Sequence, residues 1–264
     1  MIDYIVGPFQ YPFMLRALIV SVLVGFLLPV VGAYIITRGR AFMSDALAHS
    51  LVAPVAVAAL LGFTSYITAV PGGVAIALLM GYLSRQTGHQ RRHLYRTWTL
   101  TPGQSISIED LLLGQVLAVS QTDVLVTLVL TIAVAVGVYL FHRQLVFTTF
   151  DPVGASVVGI RTGIVEYVLL ALLALVIVSG LQAAGIVLVM AMLVIPSATA
   201  YLLARRFVGV ILVGAAIGVI SAIAGLYLSY YANWPSGPAM ALVAATVFGA
   251  ATLHKRTFTV RADE

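Results

Sequence analysis

Val208–Tyr231 reads VGVILVGAAIGVISAIAGLYLSYY, and none of its residues is Asp, Glu, Lys or Arg. A helix needs about 20 such residues to cross roughly 30 Å of hydrocarbon. Comparable runs fill most of the chain. Working outward, the spans expected are Met14 to Thr37, Ala41 to Gly62, Ile67 to Ser84, Val124 to Phe141, Ile164 to Ser179, Gly185 to Leu203, Val208 to Tyr231 and Pro238 to Leu253. The chain is 61% hydrophobic with a mean hydropathy of +1.08, and 9% of it is charged, against about 25% in soluble domains. This predicts an all-α polytopic membrane protein, a bundle of eight or nine transmembrane helices forming a single domain over residues 1–264. The opening Met1 to Tyr11 carries Asp3 and no Lys or Arg, so no cleaved secretory signal is expected there.

The formal charge of +5 does not point to nucleic acid. Thirteen of the fourteen basic residues are Arg, and eleven of them gather between or after apolar runs, at Arg38/Arg40, Arg85 to Arg96, Arg143, Arg161, Arg205/Arg206 and, beside Lys255, Arg256. Cytoplasmic loops collect positive charge in this way. Placing these clusters inside puts the N-terminus outside and brings the chain in at Arg38, out at Phe63 and in again at Arg85. Both Arg85 to Arg96 and His142 to Arg161 then lie inside, so the link from Ser84 to Thr122 must cross once. Ile106 to Ser120 is the one stretch able to do so, although Glu109 and Asp110 would be costly in hydrocarbon.

Within Ala41 to Gly62, Asp45 and His49 stand four residues apart, about 40° around a helix and one turn along it. Ala41, Ala48, Val52 and Ala56 are expected on the same face, small enough to admit a second helix or an ion between helices. Ionisable groups inside a membrane usually face a partner or a polar path. Carboxylate oxygen with imidazole nitrogen suits Mn(II), Fe(II) or Zn(II). Two ligands from one chain are too few, and a symmetric homodimer would supply four. The alternative is structural, with Ser44 or Asp45 capping the helix and His49 packed at an interface. His89, His93, His142 and His254 fall in Arg-rich segments and are expected to be solvated or to face headgroups. Glu166 is expected as a helix-start charge beside Arg161.

No G-x-x-x-x-G-K-[ST] loop is present and the single lysine is Lys255, so the chain cannot hydrolyse ATP by itself. Neither G-x-S-x-G nor H-E-x-x-H occurs, and nothing argues for an enzyme. The absence of Cys removes disulfides and thiolate metal sites.

Five stretches resemble one family, the membrane permease subunits of bacterial ABC importers for manganese, zinc and iron. They are ITRGRAFMSDALAHSLVAPVAVAALLG (Ile36 to Gly62), LLLGQVLAVSQTDV (Leu111 to Val124), FDPVGASVVGI (Phe150 to Ile160), AAGIVLVMAMLVIPSATAYLLARRF (Ala183 to Phe207) and GLYLSYYANWPSGPAMALVAA (Gly225 to Ala245). The resemblance implies a homodimer in the bacterial plasma membrane, docked on a separate ABC ATPase and fed by an extracytoplasmic metal-binding protein. It implies no permanently bound cofactor, the divalent metal being cargo, with Mn(II) ahead of Zn(II) and Fe also in range. The family's D-x-x-x-H pair falls on Asp45 and His49, and its ATPase-coupling segment falls on Phe150, Asp151, Pro152, Val153 and Gly154. One departure is plain. The family usually has a full helix between the basic segment at Arg85 to Arg96 and SIEDLLLGQ, where this sequence has only LYRTWTLTPGQSI. Either Ile106 to Ser120 takes over the crossing or the chain is a shortened, non-transporting relative. From a different class, an ion-coupled secondary transporter could use Asp45 and His49 as a proton relay.

Overall fold

The computed structural model describes residues 11–39, 41–51, 65–86 and 119–262. Over these residues it is helical, with α1 Pro12–Thr37, α2 Ala41–Ser50, α3 Ser65–Gln86, α4 Gln121–Phe150 and the short α5 Pro152–Val157. A helical run Thr162–Leu203 follows, then Phe207–Ala232 and Ser236–Ala262. As one straight helix, the run of 42 residues would measure about 63 Å, twice the hydrocarbon thickness. It is not one helix. Gly185 sits at φ 79, ψ 167, a conformation that glycine adopts readily and other residues avoid. A Cβ placed on Gly180 would lie 2.6 Å from Val189 Cγ2, so the chain folds back on itself there. The limbs are α6 Thr162–Leu181 and α7 Gly185–Leu203, and Phe207–Ala232 and Ser236–Ala262 become α8 and α9.

Six of these helices, α1, α4, α6, α7, α8 and the Ser236–Lys255 part of α9, are long and apolar enough to cross a membrane. A shorter apolar stretch, Ala69–Tyr82, runs within α3 where Ile67 to Ser84 is expected to span. The expected span from Ala41 begins as α2, and its part beyond Leu51 lies outside the described residues. α4 extends beyond Val124 to Phe141 at both ends. Its start is fixed by a capping box, in which Ser120 Oγ accepts from Asp123 N and Asp123 Oδ2 accepts from Ser120 N. Past Phe141 it continues through the more polar stretch His142 to Thr149.

Helix directions follow from contacts. Arg16, near the start of α1, donates to Val119 O just before α4, and Arg38, at the end of α1, reaches Thr149 near the end of α4. So α4 runs parallel to α1. Gly73 of α3 faces Val178, while Gly81 faces Leu170 and Tyr167, so α3 runs antiparallel to α6. Since α6 starts just after the end of α4, Gln86 and Val119 lie on opposite faces of the bundle. This is the arrangement the charge count demands. The expected crossing segment Ile106 to Ser120, the helix missing from LYRTWTLTPGQSI, and both His89 and His93 lie outside the described residues, apart from Val119 and the cap Ser120.

The core is packed at small residues, as expected where lipid tails remove the usual apolar driving force between helices. Pro29 has no N–H to offer the Gly25 carbonyl one turn back. That carbonyl faces Gly218 of α8 so closely that a Cβ on Gly218 would collide with it. Ser197 Oγ of α7 lies 3.0 Å from Pro29 O, tying α7 to the same proline-interrupted stretch of α1. Gly225 lets the backbone of α8 approach Met240 of α9 in the same manner.

Candidate metal site and docking segment

Leu47, Ala48 and Leu51 are fully buried, and α2 packs against the α6–α7 run. This turns Asp45 and His49 the other way. Their side chains are 51% and 59% exposed, and Asp45 Oδ1 lies 3.6 Å from His49 Nε2. At that distance the two are not hydrogen-bonded, so neither consumes the other's lone pairs. Two donors bound at about 2.1 Å to one tetrahedral ion stand roughly 3.4 Å apart, close to the spacing found. Among the described residues no third His, Cys, Asp or Glu joins them.

The capping half of the structural alternative fares less well. Ser44 is buried and its hydroxyl donates back to Ala41 O, 2.6 Å away within the helix, so it does not cap. Asp45 is the fifth residue of α2, past any N-cap, while His49 is more than half exposed, which leaves packing at an interface open to it. Ala48 departs from the face expected for it. It lies about 60° around the helix from Asp45, and that edge is buried in the core rather than turned outward with the pair. Ala41 is half-buried, and Val52 and Ala56 lie outside the described residues.

The segment Phe150 to Ile160 is a built element. Asp151 caps α5, its Oδ1 accepting from Gly154 N at 2.7 Å, and Pro152 occupies the first turn, where its missing N–H is no loss. Gly159 at φ 86 closes the helix, with its N–H on Ser156 O and that of Ile160 on Ala155 O. Ala155 is buried and anchors the turn. Phe150, Val153, Val157 and Val158 are exposed, an unusual set of apolar side chains beyond the end of a membrane helix.

His142, expected to be solvated or to face headgroups, is half-buried and has a partner within the chain. Its Nδ1 lies 2.6 Å from the hydroxyl of Tyr34, a buried residue near the end of α1. No sequence signal within either helix marks this pair, because the partners are 108 positions apart. Parallel packing of α1 and α4 brings them together.

Helices packed in this way make a polytopic membrane bundle, and the comparisons give its family. The profile of the ABC 3 transport family matches residues 10–94 and 97–255, and the chain belongs to that family. It is 40% identical over 254 residues to the manganese transport system membrane protein MntC of Halalkalibacterium halodurans, covering 92% of this chain and 87% of that protein. With the protein of the same name from Listeria monocytogenes it shares 38% over 256 residues, 93% and 91% of the two chains. A solved structure of PsaBC from Streptococcus pneumoniae in complex with Fab superposes with a TM-score of 0.81 at 29% identity, covering 95% of each chain. The chain is a multi-pass protein of the bacterial cell membrane and a transport component, not an enzyme.

Proposed function

We propose that this chain is the permease subunit of an ABC importer for a divalent transition-metal ion, Mn(II) in first place and Zn(II) next. It works as a homodimer in which Asp45 and His49 of both protomers contact the ion. The observation that carries this reading is the pair itself, two metal-competent donors 3.6 Å apart, more than half exposed on a helix of a membrane protein. Such groups are expensive against lipid, and a second copy facing the same surface would enclose them and double the donors. Manganese takes precedence because the relatives named above are manganese transport proteins.

The energy comes from a separate ATPase, since the sequence holds no phosphate-binding loop. Phe150 to Gly154 and the exposed valines of α5 supply the apolar surface on which it docks. An extracytoplasmic metal-binding protein delivers the ion to the opposite face. Uptake of Mn(II) and Zn(II), measured separately and normalised to permease in the membrane, tests the site. Asp45→Asn keeps the side-chain size and removes one charge per protomer, so uptake is lost at normal expression. Near-normal uptake by this variant would sink the metal site.

A further inference from the structure

We propose that Arg38 is a positioning residue that couples the ATPase-docking segment to the metal-carrying helix. The inference rests on the function proposed above and adds to it the route by which the two sites communicate.

Arg38 stands at the joint between α1 and α2, as the C-cap of α1. Its side chain leaves that joint and forks onto the last two turns of α4. Nε donates to Thr149 Oγ1 at 2.9 Å, and one terminal nitrogen donates to Thr148 Oγ1 at 2.8 Å and to Leu145 O at 3.3 Å. Both α1 and α4 end here, so the guanidinium sits where two helix dipoles present their negative ends. Thr149 is next but one to Asp151, the cap of α5. On the other side of the joint, Gly39 adopts φ +66 with open space around it, and α2 with Asp45 and His49 begins at Ala41.

A second set of contacts stiffens the same corner. Tyr34, one turn before Arg38, bonds to His142, which lies further up α4. The Phe207 ring meets Tyr34 at 5.0 Å and Phe150 at 5.5 Å, both edge to face. The ends of α1 and α4 and the start of α8 therefore move with α5 as one body. The metal helix, itself packed on the α6–α7 run, joins that body through a glycine joint whose preceding residue is the tethered arginine. A shift of α5 under the ATPase displaces the end of α4, and Arg38 passes the displacement to the root of α2.

Arg38 could instead serve only as a positive charge that holds the topology. Arg38→Lys keeps that charge but cannot fork to two threonines and a carbonyl. The double variant Thr148→Val with Thr149→Val keeps side-chain shape and overall charge while removing the two hydroxyl acceptors. Each is reconstituted into vesicles with the cognate ATPase and metal-binding protein, and Mn(II) uptake and ATP hydrolysis are measured together. Both variants should hydrolyse ATP at close to the wild-type rate while moving roughly tenfold less Mn(II) per ATP, within the usual range of coupling between sites. An unchanged Mn(II)-to-ATP ratio in either variant overturns the proposal, as does a parallel fall of both rates. Asp45→Asn, assayed alongside for bound Mn(II), reads the metal site independently of the Arg38 result.

Discussion

At the C-terminal ends of α1 and α4, polar side chains find one another within the chain. Tyr34 reaches His142, and Arg38 reaches Leu145, Thr148 and Thr149. Along α2, a few residues later, Asp45 and His49 are set side by side, within ion-pair distance but too far apart to hydrogen-bond, and left more than half exposed. Among the described residues the first region is closed by hydrogen bonds and the second is not. A satisfied network fixes geometry and can transmit force. On the function proposed here the open pair is an incomplete site, and what completes it comes from outside the chain: a second copy and an ion.

The contrast breaks most visibly at the pair. Asp45→Asn and His49→Ala should each lower metal uptake by more than about tenfold, the loss seen even when groups that merely hydrogen-bond to metal ligands are removed. Expression and ATPase association should stay normal, because neither side chain is packed in the core. Falling stability with uptake per folded molecule intact would place the pair with the structural network instead.

Next in size are changes to the packed interior. Gly218→Ala would drive a Cβ into the Gly25 carbonyl and against Pro29 Cγ, and overpacking of this kind costs about 1–3 kcal/mol. Its thermal midpoint in detergent should drop, while Gly249→Ala, with nothing within 4 Å of the added carbon, should hold or gain stability. Equal behaviour of the two would mean that α1 and α8 are not in close backbone contact.

Smaller again is the docking segment. Asp151→Ala together with Pro152→Ala removes a helix cap worth about 1 kcal/mol and frees the first turn of α5. Co-purification of the ATPase should weaken while the permease stays folded, and unchanged co-purification would count against Phe150 to Gly154 as the docking surface. The smallest effect is expected at Ser197→Ala, which loses the link to Pro29 O. Interhelical hydrogen bonds in membranes average about 0.6 kcal/mol, so the thermal midpoint should move slightly and transport not at all.

Six of the eight expected spans are legible in the sequence because hydrocarbon imposes one rule on every crossing, and Gly185 and Arg205/Arg206 mark the two ends of α7 in the same way. The Asp45–His49 pair is legible because its two members share one helix, where spacing fixes geometry. Tyr34 with His142 and Arg38 with Thr149 are not, since each partner lies more than a hundred positions away and local pattern carries no trace of it. The helical nature of α5 is written in Asp151-Pro152 and Gly159, a cap, a first-turn proline and a glycine stop. Ala48, about 60° from Asp45, falls on the buried edge of its helix because a helical wheel gives angles but not which arc meets a neighbour.

Metal analysis of the purified permease–ATPase complex tests the proposed ion site most directly. After equilibration with Mn(II) and removal of free ion, the wild type should retain about one Mn(II) per pair of permease chains, as a site on a two-fold axis requires. The complex carrying Asp45→Asn should retain almost none while staying assembled. Equal Mn(II) in both complexes would contradict the assignment of Asp45 and His49 as the residues that hold the ion.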